Sequence, residues 1–123
     1  MRLSAEQFAE LVQQAVSELP QWVAERLDNV SILTAPWPTP QQIASSGTPE
    51  GHTLLGLYEG VPLPRRGRGY NLVPPDRITL FQAPLEYRAP DCAELRRLIA
   101  RTIAHEIGHH FGFDEARLAQ LGI

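Results

Sequence analysis

Apolar residues recur along the first twenty positions of this chain with the period of a helix. Phe8, Leu11, Val12, Ala15, Val16 and Leu19 stand at i, i+3, i+4, i+7, i+8 and i+11, a single stripe on a 3.6-residue repeat. Ser4, with Gln7 three residues on, supplies a capping box that starts this helix. Pro20 can begin a short second helical piece carrying Trp22, Val23 and Leu27, because a first helical position makes no use of the N–H that proline lacks. The period then changes. Residues 29–34 alternate and are β-branched, which predicts a strand. Pro36, Pro38 and Pro40 interrupt regular structure, and the polar stretch to about Gly51 predicts a loop with His52 at its end. Residues 53–59 read as a second strand and residues 60–69, rich in glycine, proline and arginine, as a loop. Pro74, Pro75 and Asp76 introduce a third strand over residues 77–82, closed by Pro84 and a turn around Tyr87.

The longest amphipathic stretch comes last. Asp91 with Glu94 makes another capping box, and Leu95, Leu98, Ile99, Ile103 and Ile107 form the apolar side of a long helix. Gly112 follows the last periodic residues and is placed for a left-handed C-terminal turn. Asp114 or Glu115 then starts a short final helix through Ala116, Leu118, Ala119 and Leu121. Helices flanking a few strands, without repeats, predict one α+β domain over residues 1–123.

Composition narrows the function classes. The 123 residues suffice for a modest core without disulfides, and the single Cys92 excludes an internal one and suits a reducing cytosol. A net charge of −3 removes the electrostatic case for nucleic acid or an anionic membrane. No apolar run approaches the roughly 18 residues of a membrane span, and the first six residues lack the apolar core of a signal peptide. A cytoplasmic protein is expected. All eleven basic residues are arginine, three of them (Arg65, Arg66 and Arg68) within one loop that could steer acidic peptide segments or cover a cleft.

The chemistry concentrates in His105-Glu106-Ile107-Gly108-His109. On a helix, His105 and His109 project from one face, one turn apart, so both imidazoles can bind one metal ion. Glu106 beside them can polarise a metal-bound water, which is the logic of the HExxH zinc-peptidase signature. The pair lies at the margin of the apolar side, where the helix meets the rest of the fold. A catalytic zinc usually takes three protein ligands and one water. A third ligand requires the chain to turn back, which Gly112 permits, and Asp114 and Glu115 both offer a carboxylate there. The bland alternative is a polar helix end that binds nothing, which the turn and its carboxylates argue against. His52 could approach a metal, but as a lone loop histidine it reads as solvated, and His110 points about 100° away from His109. Cys92 at a helix start reads as inert, with a thiol lowered by the helix N-terminus as the minor alternative.

With that continuation, His-Glu-x-x-His-x-x-Gly-x-x and a ligand, the chain resembles the zincin metallopeptidases. It is most similar to a family of small bacterial proteins with a minimal zincin-like fold. The likeness also takes in the first helix, residues 27–30, 55–62 and 75–81, and His105 through Leu118. Metzincins carry histidine at position 115 and the small family tends to carry aspartate, whereas this chain has Glu115. The resemblance implies an N-terminal helix, a small mixed sheet of about three to four strands, the long HExxH helix and a short C-terminal helix. It implies one Zn2+ per chain held by His105, His109 and Glu115, with Asp114 as the alternative third ligand and Glu106 as general base. It further implies that Ile78, Thr79, Leu80 and Phe81 form an edge strand along which an extended peptide pairs. The expected substrate is a peptide or protein, with no nucleic acid or membrane partner; a protein partner or homo-oligomer is left open. Oxyanion donors stay unranked among Tyr58, Tyr70, Tyr87, His110 and the loop arginines. The alternative function is a non-catalytic, metal-stabilised module on a zincin scaffold that binds peptide or protein. An iron site of two histidines and a carboxylate ranks below both, because such ligands usually come from a barrel.

Overall fold

In the structure, a computed structural model that describes residues 2–60 and 75–121, helices and strands follow one another in a mixed order. They are α1 (Ala5–Ser17), α2 (Gln21–Ala24), β1 (Val30–Ala35), α3 (Pro40–Ser46), β2 (Gly56–Glu59), β3 (Asp76–Phe81), α4 (Gln82–Arg88), α5 (Cys92–His110) and α6 (Glu115–Gln120). This is the α+β arrangement expected, with three strands in the sheet. No helix among the described residues is long and apolar enough to cross a membrane.

The first helix forms as its pattern demands. The Ser4 side chain accepts from the Gln7 N–H while the Gln7 side chain accepts from the Ser4 N–H, and Phe8, Leu11, Val12 and Ala15 are buried. α1 lays this stripe against α5, whose Leu95, Ile99, Ile103 and Ile107 are fully buried, and Ile78, Leu80 and Leu85 complete the core. Each such side chain contributes about 1.5–3 kcal/mol through burial, so the helix that carries the histidines is anchored along its whole apolar side. Leu27 falls beyond the end of α2 and packs on the core from there.

Two stretches differ from the sequence reading. Residues 40–46, expected as loop, form α3, because Pro40 sits in the first turn, where its missing N–H costs nothing. Thr39 and Gln42 make the same reciprocal capping box as Ser4 and Gln7, and Gly47 ends the helix at φ 74. Residues 82–88, expected as a strand end and turn, form α4, again with its proline, Pro84, in the first turn. α4 is tied to the N-terminus through the buried Glu86, which accepts from the Leu3 N–H at 3.1 Å and from Gln82 at 2.8 Å.

The sheet order is β1-β3-β2, with β1 parallel to β3 and β2 antiparallel to it. This corrects the expectation for Ile78, Thr79, Leu80 and Phe81. Their strand is central, paired on one side from Ile32↔Ile78 to Ala35↔Phe81 and on the other from Gly56↔Leu80 to Tyr58↔Ile78. Both ladders use its backbone groups and all four side chains are buried, so an extended peptide has no edge there to join. The apolar character of these residues reflects a strand covered on both sides. β2 is the edge strand that faces α5. The strand limits also shift slightly: β1 begins at Val30, and β2 is confined to Gly56–Glu59, although the Leu55 carbonyl still accepts from the Phe81 N–H.

Candidate metal centre

α5 starts at Asp91, whose side chain accepts from the Glu94 N–H at 2.8 Å. The reciprocal half of the expected box is replaced by a contact between Glu94 and Arg97. Fourteen residues after Asp91 comes His105, half-buried, and one turn later His109, exposed. Their rings lie 6.1 Å apart between centroids, side by side on one face.

The chain then reverses as Gly112 allows. The Phe113 N–H donates to the Gly108 carbonyl at 2.7 Å and the Gly112 N–H to the His109 carbonyl at 3.0 Å, with Gly112 at φ 86. That pair of bonds is a Schellman motif, which satisfies the last helical carbonyls by a left-handed residue. Arg26 braces the turn from outside: its guanidinium lies 5.6 Å from the Phe111 ring and 5.7 Å from the Phe113 ring. Trp22 packs on Phe113 at 5.4 Å.

The turn delivers two carboxylates with different tasks. Asp114 is the N-cap of α6, its Oδ1 accepting from the Arg117 N–H at 2.8 Å. Glu115 reaches back to His109, Oε1 to Nε2 at 2.8 Å. Of the residues proposed from sequence, His105, His109 and Glu115 come together, with one donor atom from each within 4.8 Å of the others, while Asp114 caps α6 and is outside that group. Four-coordinate zinc with bonds of about 2.1 Å places its ligand atoms about 3.4 Å apart. Two imidazole nitrogens and one carboxylate oxygen at this spacing therefore fit the ion after small side-chain adjustments.

Glu106 is held separately. Its Oε1 accepts from the Tyr58 backbone N–H at 2.8 Å, a bond from the edge of β2 to α5 across 48 positions of sequence. Burial holds its carboxyl above the ordinary carboxylate value, against the Tyr58 N–H and the His109 ring, which both favour the charged form. The Tyr58 hydroxyl, a candidate oxyanion donor from sequence, instead donates to Asp76 at 2.6 Å. Burial, and then the bond to and charge of Asp76, keep that phenol protonated well above its usual range. His110 stacks on the Tyr58 ring at 3.9 Å and closes this cluster. His52 is exposed and takes no part in the His105–His109–Glu115 group; Tyr70 and the arginines at 65, 66 and 68 lie outside the described residues.

Two glycines set the approach of the site's parts. A Cβ on Gly108 would lie 2.3 Å from Leu118, so the bare helix surface there lets α6 close over α5 and bring Glu115 near His109. A Cβ on Gly56 would lie 2.8 Å from Thr102 and 3.3 Å from the Thr79 carbonyl, so β2 sits near enough to α5 for the Tyr58 bond. The only sequence signal for Gly108 was a glycine inside an otherwise helical pattern. A groove of about 340 Å³ runs beside the site between residues 53–56 and α5, with His105 and Glu106 among its walls.

The model of a protein family described as zincin-like metallopeptidase matches residues 27–123. The chain belongs to that family. Among solved structures it is similar to a conserved hypothetical protein from Thermus thermophilus, with 26% identity, a TM-score of 0.56, and coverage of 95% of this chain and 98% of that one. No curated protein matches the chain. Membership in a zincin-like family implies a metal, usually zinc, and the His/Glu cluster supplies donors of the right chemistry for it.

Proposed function

We propose that this zincin-like chain is a zinc-dependent peptidase in which His105, His109 and Glu115 hold the ion and Glu106 is the general base. The observation that carries the reading is the division of labour among side chains. Three donor atoms converge within 4.8 Å, while a fourth residue, Glu106, stands beside them bound to a backbone N–H.

Zinc bound by the three donors would supply a Lewis acid for the scissile carbonyl and would lower the pKa of a water. The protein's own groups do the rest. The Tyr58 N–H fixes Glu106 through Oε1, which leaves Oε2 to take the water's proton and pass it to the leaving amine. A carboxyl raised by burial binds that proton more readily than an exposed one. The groove between residues 53–56 and α5 receives the substrate beside these groups, with β2 as the backbone edge available to an extended peptide. The rival reading, a non-catalytic metal-stabilised module, has no use for a half-buried carboxylate held beside the donors.

The test is Glu106→Gln in the zinc-loaded protein. Peptide hydrolysis is expected to fall by about 100-fold or more, as for loss of a general base, while zinc affinity stays that of the wild type. A variant that still cleaves the same peptide at the wild-type rate sinks the mechanism.

A further inference from the structure

The groove beside Glu106 is also lined by two cations, Arg88 and Arg101. Arg101 lies four residues before His105 and so one turn away on the same face of α5. Arg88, the last residue of α4, lines the same groove. Other arginines of this region are paired: Arg77 with Glu59, Arg96 with Glu18, Arg97 with Glu94. Arg88 and Arg101 make no ion pair or hydrogen bond among the described residues, and residues 61–74 contain no acidic side chain. An adjoining hollow of about 370 Å³ is lined by the same two arginines with Arg97 and Glu94, whose charges offset each other. The second hollow therefore presents the charge of Arg88 and Arg101 with its one acid already paired, and in the groove the two arginines outnumber the single carboxylate, Glu106.

We propose that Arg88 and Arg101 make this groove a receptor for a substrate carboxylate, an inference that rests on the peptidase reading above. The preferred peptides then carry an acidic side chain or a free C-terminus close to the bond presented to Glu106. The guanidinium is a planar fork that matches a carboxylate with two parallel hydrogen bonds, and it remains charged at any working pH. Leu54, Leu55 and Leu98 give the groove apolar walls that can pack on the rest of the peptide, while the two arginines are exposed to solvent. Glu106 repels a second carboxylate at close range, so the anion is held on the side of the groove lined by Arg88 and Arg101.

The experiment uses zinc-loaded wild type and the double variant Arg88→Gln with Arg101→Gln. Its probes are matched peptides: Glu against Gln at each position flanking the cleaved bond, and free-acid against amidated C-termini. In the wild type, kcat/KM is expected to be about tenfold higher for carboxylate peptides, the size of one exposed charge-assisted contact. In the double variant that ratio falls to near one, with zinc affinity and melting temperature unchanged. An advantage confined to the Glu set assigns the site to side chains, and one confined to the free-acid set assigns it to chain ends. A ratio of one in the wild type, or the same ratio in both proteins, overturns the inference and leaves the peptidase reading standing. Binding of the same peptides to the zinc-free proteins, followed by fluorescence anisotropy, separates the two claims. Arginine-dependent binding of carboxylate peptides with no cleavage of any peptide upholds the inference and refutes the peptidase reading.

Discussion

The two carboxylates of the candidate centre are held by opposite means. Glu115 stands on a segment organised by its neighbours in sequence: the left-handed Gly112, the two bonds of the Schellman turn, and the Asp114 cap of α6. Glu106 depends on a contact made across the fold, the Tyr58 N–H on the edge of β2. The first is exposed, with 71% of its side chain open, and pairs with His109; the second is half-buried, and burial raises its carboxyl. A metal ligand needs reach and charge, whereas a base needs fixed aim and affinity for a proton. Local devices suffice for the one, and tertiary packing provides the other.

That contrast predicts that the two sides can be damaged independently. The largest effect is expected on the helix side from Glu115→Ala, which removes a donor and should weaken zinc binding about 100-fold, close to 2.7 kcal/mol. Asp114→Ala should instead lower stability by about 1 kcal/mol, the worth of an N-cap, with a much smaller change in affinity. Isothermal titration and thermal melts on the two variants decide between them; the reverse ranking moves the ligand by one residue. On the strand side, Gly56→Val drives a side chain into Thr102 and the Thr79 carbonyl. Displacing β2 should cut kcat by about tenfold or more through the mispositioned base, with zinc affinity nearly that of the wild type. Gly108→Val is its mirror, pushing Leu118 and α6 outward and costing affinity first. If both glycine variants lose metal and turnover in the same proportion, the two sides are not separable. The smallest effect is expected from Arg26→Ala. It removes the cation from the aromatic rings of the turn, worth about 0.5–2 kcal/mol, and should show as a severalfold loss of affinity in the same titration.

The same contrast explains what could be read from the chain before its fold was known. α1, α5, the Gly112 turn and the pair His105/His109 follow from short-range rules of period, capping and chirality, and these were legible. Thr39 with Gln42 obeyed the same capping rule as Ser4 with Gln7, yet the surrounding prolines masked α3, although a first-turn proline is compatible with a helix. The central position of Ile78–Phe81 is hidden for a different reason. An apolar β-branched run says that a strand is buried, and only the pairing partners say whether it lies at an edge. The partner of Glu106 was not legible at all, because a backbone N–H belongs to every residue but proline and leaves no mark in the sequence. The hydroxyl of Tyr58 binds Asp76, and it is the backbone amide of Tyr58 that holds Glu106.

The most direct measurement is a zinc titration of the metal-stripped protein beside His109→Ala and Glu106→Gln. One tightly bound ion per chain is expected in the wild type and in Glu106→Gln, with affinity lower by about 100-fold or more in His109→Ala. Binding that is equally tight in His109→Ala, or absent from the wild type, would contradict a zinc centre built on His105, His109 and Glu115.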